Sequence, residues 1–315
     1  MLFLKGTHMN TNIDKSAVAA AVRDAFNFEV VKLPLTGADN HYTPWYGLFR
    51  QDSGAYIGSG SISERYVPHT ADDVCALVEA AANAFDNEVD LECHFNNGHY
   101  VSVAPTADYR HSVYGTADNA FPRIVISAGF DKESFMATLG IFRDACLNLM
   151  LMRMIEGTSV SIRHTRSLRP KMDDLIASFS RLADGWTTIT DVIDHLQSRE
   201  VELAGFLDAV YGTPSPEDLQ RHHAGEKVRS VTMHKNRTEA IMKRVMRERW
   251  QTGRGAMGAG FTVSAWEAFN AVQGYSQHDA TRRKQNGVAV GQFDRVLLAS
   301  KDASVLAAEK LALAA

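Results

Sequence analysis

Apolar and polar residues alternate strictly along Val89-Asp90-Leu91-Glu92-Cys93-His94-Phe95 and again along His99-Tyr100-Val101-Ser102-Val103, with Asn96-Asn97-Gly98 between them. A period of two on either side of a short Asn/Gly turn predicts a β-hairpin. Phe121 to Ser127 predicts a further strand, built on the compact run Arg123-Ile124-Val125-Ile126. Upstream, Trp45 to Arg50 and Ala55 to Gly58 flank Asp52-Ser53-Gly54 and predict an earlier hairpin, with Ile62 to Val67 extending its second strand. The stretch between Phe28 and Trp45 reads as turn-rich.

A different period marks the helices. Val18, Ala21, Val22, Ala25 and Phe26 recur at three and four residues, predicting a short helix over Ala17 to Phe28. Thr70 suits an N-cap, Asp72 and Asp73 suit the first turn, and Val74, Leu77, Val78, Ala81 and Phe85 make one apolar face. Ser134 then reads as the cap of a long apolar helix from Phe135 to about Met154, with Phe135, Leu139, Phe142, Cys146, Leu149 and Met150 as its stripe and Gly157 as its stop. Ser159 to Thr165 predicts one more strand. From Lys171 onward the pattern is helical over Asp173 to Leu182, Thr190 to Tyr211 and His234 to Trp250, broken at Thr213-Pro214-Ser215-Pro216 and at Gly253 to Gly260. Thr262 or Ser264 caps a helix through Trp266, Phe269, Val272 and Tyr275, and Ala303 to Ala314 gives the last. The fold expected is α+β: a small antiparallel sheet packed on a long buried helix, followed by a helical C-terminal part. The expected organisation is an N-terminal extension over 1–16, an α+β core over 17–170 and a helical region over 171–315.

Composition supports a folded chain. Of 315 residues, 45% are hydrophobic and 22% charged, which excludes disorder and fibrous repeats. Three scattered cysteines cannot form a disulfide framework and point to a reducing, cytoplasmic setting. No window reaches the roughly 18 apolar residues of a membrane span, and Met1 to Lys5 is too short for a signal sequence.

Charge changes the picture more. The net −4 conceals a first half (1–150) with 10 Lys+Arg against 18 Asp+Glu and a second half with 23 against 19. Arg221 to Arg254 alone carries ten basic and three acidic residues. Such a segment either tracks a polyanion or is a solvated helix face.

Few motifs carry recognisable chemistry. Gly253-Arg254-Gly255-Ala256-Met257-Gly258-Ala259-Gly260 spells G-x-G-x-x-G-x-G, but a helix precedes it where a phosphate loop needs a strand, so it reads as a flexible linker between helices. Walker, zincin and G-x-S-x-G patterns are absent, and the twelve histidines show no ligand spacing. No cofactor and no metal are expected. The distinctive constellation is Arg163-His164-Thr165-Arg166-Ser167-Leu168-Arg169-Pro170-Lys171, where alternation puts Arg163 and Thr165 on one strand face and His164 and Arg166 on the other. Arg143 and Arg153 interrupt an apolar run, and a cation there must pair with an acid, reach solvent or meet an anion.

The chain resembles the phage- and plasmid-encoded proteins grouped as a domain of unknown function, the phage/plasmid-like proteins. The resemblance runs through Arg65-Tyr66-x-Pro68, Arg143-x-x-Cys146-x-Asn148, Ile162-Arg163-His164-Thr165 and Asn270-Ala271-Val272 with Tyr275 and His278, over about Tyr46 to Leu311. Ala128 to Lys132 departs from it, lacking a His-Asp-Gly start. The order of elements further looks like the core of single-strand annealing proteins of the Red beta kind, a likeness at fold level. That likeness implies an ATP-independent, non-enzymatic protein of phage or plasmid DNA recombination, which holds single-stranded DNA in a basic groove between sheet and long helix. Arg65, Arg143, Arg153, Arg163, His164, Arg166, Arg169 and Lys171 would meet DNA, with Tyr66 and Tyr100 stacking on bases. It implies homo-oligomers, as rings or filaments, and a partner exonuclease or single-strand-binding protein. The alternatives are a phage interaction or regulatory protein whose basic helix grips an acidic partner, and a nucleic-acid-processing enzyme assembled from residues such as His94, Asn148, His164 and His278.

Overall fold

The structure, a computed structural model, describes residues 12–13, 17–85, 88–95, 98–105, 109–130, 134–143, 148–150, 159–165, 168–280, 284–285, 288–289, 295–296, 299 and 301–315. In chain order its main elements begin β1 (Asn12–Ile13), α1 (Val18–Ala25), β2 (Val30–Thr36), β3 (Tyr42–Arg50), β4 (Tyr56–Ile62) and α2 (Ala71–Asn83). They continue β5 (Val89–Phe95), β6 (Gly98–Pro105), β7 (His111–Ser112), β8 (Asn119–Gly129), β9 (Phe135–Arg143), β10 (Asn148–Met150) and β11 (Ser159–Ile162). Helices dominate thereafter: α3 (Leu168–Ser198), β12 (Glu200–Glu202), α4 (Leu203–Tyr211), α5 (Pro216–His223), α6 (Arg229–Gln251), β13 (Thr262–Ser264), α7 (Ala265–Gly274) and α8 (Ala303–Ala314). The chain is α+β, with small antiparallel sheets and helices toward the C-terminus. It divides into two compact units, one of residues 1–109, 122–140 and 156–186, the other of 110–121, 141–155 and 187–315.

In the first unit the sheet runs β1-β5-β6-β8-β9, with β11 also on β9. The predicted hairpin is β5–β6, in register from Val89 opposite Pro105 to Phe95 opposite His99. Val89, Leu91 and Cys93 of β5 are buried while Asp90 and Glu92 are half-buried, as the alternation requires. Arg123 of β8 reaches across the intervening strand to both acids, at 3.3 and 3.5 Å. The path is open because Ala104 stands between Arg123 and Asp90. Helices α1 and α2 pack on each other, α1 against β5 and α2 against β6. Thr70 and Asp73 form a reciprocal capping box at the start of α2. Strands β2, β3 and β4 make a separate antiparallel sheet around Leu48, Ile57, Ile62, Tyr66 and Phe130. The predicted hairpin is its β3–β4 pair, which ends at Ile62 rather than running to Val67. β2 lies in the stretch read as turn-rich, because Pro34 masks its pattern and the pairing is irregular just beyond it.

The predicted helix from Phe135 to Met154 is not present. Residues Phe135–Arg143 are strand β9, and Asn148–Met150 pairs back on it as β10. Seven of the nine β9 residues are buried, and all but Thr138 and Arg143 are apolar or glycine. A doubly covered strand reads as one continuous hydrophobic run, and here Phe135, Leu139 and Phe142 happen to fall at helical spacing. Cys146 and Gly157 lie outside the described residues.

β6 opens at Gly98 opposite Gly129 of β8. A Cβ at Gly98 would stand 2.6 Å from the Gly129 Cα and 2.7 Å from the Ala128 carbonyl oxygen. Both obstacles are backbone, so Gly98→Ala should displace the strand and cost about 1–3 kcal/mol. A lowered urea midpoint at unchanged slope is the expected readout.

In the second unit α7 is buried at every position and packs on α6, α8 and β10. Its cap is Ser264, in a capping box with Glu267. α3, whose residues 168–186 belong to the first unit and 187–198 to the second, is continuous where the sequence suggested a break, with Leu175, Phe179, Trp186, Ile189, Ile193 and Leu196 buried along it. Among the described residues no helix is long and apolar enough to cross a membrane.

Candidate functional site

The residues expected to line a DNA groove do not share one environment. In the first unit Arg65, Arg163 and Lys171 are exposed. The strand predicted to Thr165 ends at Ile162, so Arg163 to Thr165 form a turn rather than two strand faces; His164 is buried there, and its Nδ1 lies 3.3 Å from the Val67 carbonyl oxygen. Tyr66 is buried with its ring stacked on His164, centroids 5.0 Å apart, and Tyr100 is buried in β6. Both rings therefore build the core of the unit rather than offering a stacking face to a base. Arg153 and Arg166 lie outside the described residues; Arg169 is in the first turn of α3, and its side chain lies outside them too.

His164 belongs to a cluster that the sequence did not reveal. His69 Nε2 lies 2.7 Å from His99 Nδ1, and the His69 ring stacks on Phe130 with His164 5.1 Å away. Phe26 and Phe28 close on His99. Burial holds His69 well below the usual histidine range, lowers His164, and pushes His99 down to about 3. These are neutral imidazoles in an aromatic core. Among the described residues no group of three or more His, Cys, Asp or Glu is placed to hold a metal ion.

In the second unit Arg143 is buried and held by carboxylates. Its Nε donates to Asp118 Oδ2 at 2.6 Å and its Nη1 to Glu248 Oε2 at 2.9 Å. Of the three fates open to this cation, the structure selects pairing, and so removes it from any phosphate contact.

The basic segment Arg221 to Arg254 resolves into two sets. Most of its cations are engaged: Arg221 with Glu226, Lys235 with Glu239, Arg244 with Glu248 and Asp279, Arg249 and Arg254 with Glu267, and Arg237 over the Tyr211 ring. Arg229, Lys243 and Arg247 on α6, and Lys227 just before it, are exposed and have no carboxylate partner among the described residues. At 100° per residue the three on α6 fall within one narrow stripe, and Trp250, 82% exposed, continues it one turn on.

The glycine-rich segment follows at the end of α6. Gly253, Gly255 and Gly260 have φ of +72°, +70° and +67°, the left-handed region that glycine alone enters without strain. The loop is tied down rather than the flexible linker expected. Arg249 donates to the Gly255 and Ala256 carbonyl oxygens at 3.1 and 2.9 Å and to Glu267 at 2.8 Å. Arg254 pairs with Glu267 and lies over the Tyr114 ring at 3.3 Å, and Tyr114 is hydrogen-bonded to Ser264. Burial pushes the Tyr114 phenol up to about 12. Held in this way, the loop and the end of α6 enclose an open cavity of about 470 Å³, lined by Met246, Trp250, Met257, Gly258, Gly260 and Phe261 among others. Trp250 standing between a basic helix and a glycine run was the one signal in the sequence that pointed here.

Residues 59–297 match the family described as a domain of unknown function, DUF932. The chain belongs to this family. The DUF932 match spans β4 through the residues beyond α7, and so takes in both units. No curated protein and no solved structure matches the chain.

Proposed function

We propose that this DUF932 protein binds single-stranded nucleic acid and anneals complementary strands without ATP, in phage or plasmid recombination. The observation that carries the reading is the α6 stripe of Arg229, Lys243 and Arg247, cations exposed and without carboxylate partners among the described residues, within a segment whose other charges are largely spent internally. Annealing needs phosphates neutralised while base edges stay free to find a complement. A single convex stripe of point charges does the first without reading sequence. It suits a binding protein rather than an enzyme.

A distant relation to annealing proteins of the Red beta kind belongs to this reading, because a long helix, α3, follows an antiparallel sheet. Long strands would be covered by several protomers side by side, as a ring or filament, with an exonuclease or single-strand-binding protein supplying the strands. Annealing of phage or plasmid DNA would take place in the cytoplasm.

Fluorescence anisotropy with single-stranded and duplex oligonucleotides over a salt series tests the reading. Preference for single strands, with faster pairing when complementary strands are mixed without nucleotide, is the expected result. Each phosphate contact contributes a slope of about −0.7 in log K against log salt for single strands, so Lys243→Glu with Arg247→Glu should flatten the slope by about 1 to 2. Absence of binding at low salt overturns the proposal and favours a protein partner for the basic helix.

A further inference from the structure

The cavity beside the stripe has a chemistry of its own. Its walls are aromatic and thioether: Trp250, Phe261 and Met246 are 82, 53 and 57% exposed, and Met257 completes them. Three large apolar side chains left open together are unusual on a soluble surface and mark a place where something apolar is received. Gly255, Gly258 and Gly260 line it with Ala256, and a Cβ added at Gly255 or Gly260 would meet nothing within 4 Å. Among the described residues no charged side chain lines it. The acid nearest in the loop's anchoring, Glu267, is consumed by Arg249 and Arg254.

Two cations outside the lining are carried on the same helix. Arg247 follows Met246 directly and lies one turn before Trp250, and Lys243 lies one further turn back on the same face. An apolar slot with an aromatic wall, on a helix that carries two exposed cations on the Trp250 side, is complementary to a flat uncharged ring joined to an anion. A nucleobase with its phosphate has that form. At about 470 Å³ the space falls in the range of sites that hold small ligands.

We propose that this slot receives a nucleobase, stacked on Trp250 beside the glycines, with its phosphate met by Lys243 and Arg247. The inference rests on the nucleic-acid reading above and adds to it the group that holds a base. It also gives the G-x-G-x-x-G-x-G run a role distinct from a phosphate loop: its positive-φ glycines shape a surface flat enough for a ring to approach. Phe261, a non-glycine at φ 58°, is held in the left-handed region at the edge of the same slot. Residues confined to that region cluster at binding sites.

The test compares two oligonucleotides of equal length, one normal and one with every base removed, against the full chain and its variants at matched salt. Trp250→Ala should weaken the normal strand by about 5- to 100-fold, the usual range for one lost base stack. Its salt slope should not change, and its affinity for the abasic strand should equal that of the unaltered protein. Trp250→Phe should recover most of the loss. Lys243→Ala with Arg247→Ala should weaken both strands. Trp250 is exposed, so a circular-dichroism spectrum unlike the parent's is not expected.

Equal affinity of Trp250→Ala and the unaltered protein for the normal strand, while the Lys243 and Arg247 variant still weakens, overturns the base slot and leaves the nucleic-acid reading standing. Failure of the unaltered protein to bind either strand overturns both. Titration with adenosine monophosphate separates the two sources of a base. Weak binding of the mononucleotide beside tight binding of the strand assigns the slot to a strand; equal affinity, lost in Trp250→Ala, assigns it to a free nucleotide.

Discussion

Lowering the pH from 7 to 5 is expected to destabilise the first unit steeply, through His69, His99 and His164. All three are buried, and the rings around them are Phe26, Phe28, Phe95, Phe130, Phe135 and Tyr66. The charged group acting on them is Asp73, which favours a proton on His164 without overcoming the effect of burial. In the unfolded chain each histidine takes up a proton near its ordinary pKa of about 6.5. In the folded chain His99 does so only at about 3, and the other two are lowered in the same direction.

The unfolded state therefore binds more protons throughout this window. Stability is highest above about pH 7, where neither state is charged, and falls as pH drops below the unfolded value. Each histidine that stays neutral when folded contributes a slope of about 1.4 kcal/mol per pH unit, so His99 alone removes about 2 kcal/mol between pH 7 and 5. The other two add to it. Against a total stability of about 5–15 kcal/mol that loss is large. The 2.7 Å contact of His69 Nε2 with His99 Nδ1 strengthens the case, since two imidazolium N–H groups cannot face each other there. Urea unfolding at pH 7, 6 and 5, followed by circular dichroism, is the measurement. His99→Phe should start less stable, because it strips His69 of its partner, yet show a shallower fall with pH. A flat profile from pH 7 to 5 would mean that water reaches the cluster.

Where the sequence was legible, a local pattern fixed the answer. β5 alternates, β6 follows it across a short Asn/Gly turn, β8 shows a β-branched run at Ile124-Val125-Ile126, and α2 carries its apolar face after a capping threonine and two early acids. β9 failed because burial erases its period, as in β6 and β8, while it has neither their turn nor their β-branched run and its Phe135, Leu139 and Phe142 fall at helical spacing. β2 failed because Pro34 sits inside it. The site was legible as charge density but not as geometry. Ten basic residues in Arg221 to Arg254 announced a polyanion or a solvated face, and nothing local says which cations are spent. Glu267 neutralises Arg249 and Arg254, and Asp279 neutralises Arg244, from positions that only the tertiary fold brings near. The histidine cluster escaped for the same reason, its members lying at positions 69, 99 and 164 with no ligand-like spacing.

Arg143 shows how much such distant partners weigh. Its side chain is 3% exposed, and it holds Asp118, 1% exposed, and Glu248, 8% exposed, from elements far apart in sequence. Replacing a buried ion pair with apolar groups can be neutral, but removing one member strands the other's charge. Arg143→Met should therefore cost about 3–5 kcal/mol, read from guanidinium unfolding followed by tryptophan fluorescence, for which Trp266 is a buried reporter in the same unit. Glu248 retains Arg244 at 3.6 Å, so most of the cost falls on Asp118. Asp118→Asn in the Arg143→Met background should then recover a substantial part of the loss, whereas Asp118→Asn alone destabilises, a coupling that a double-mutant cycle isolates. The same variant separates structure from binding: with its guanidinium turned onto carboxylates, Arg143 has none left for a phosphate. Arg143→Met that remains folded should keep the salt slope of oligonucleotide binding unchanged, while Lys243→Glu with Arg247→Glu, on the exposed stripe, changes the slope and leaves stability almost untouched. A flattened slope in Arg143→Met would return this arginine to the nucleic-acid surface and count against the division between buried and exposed cations.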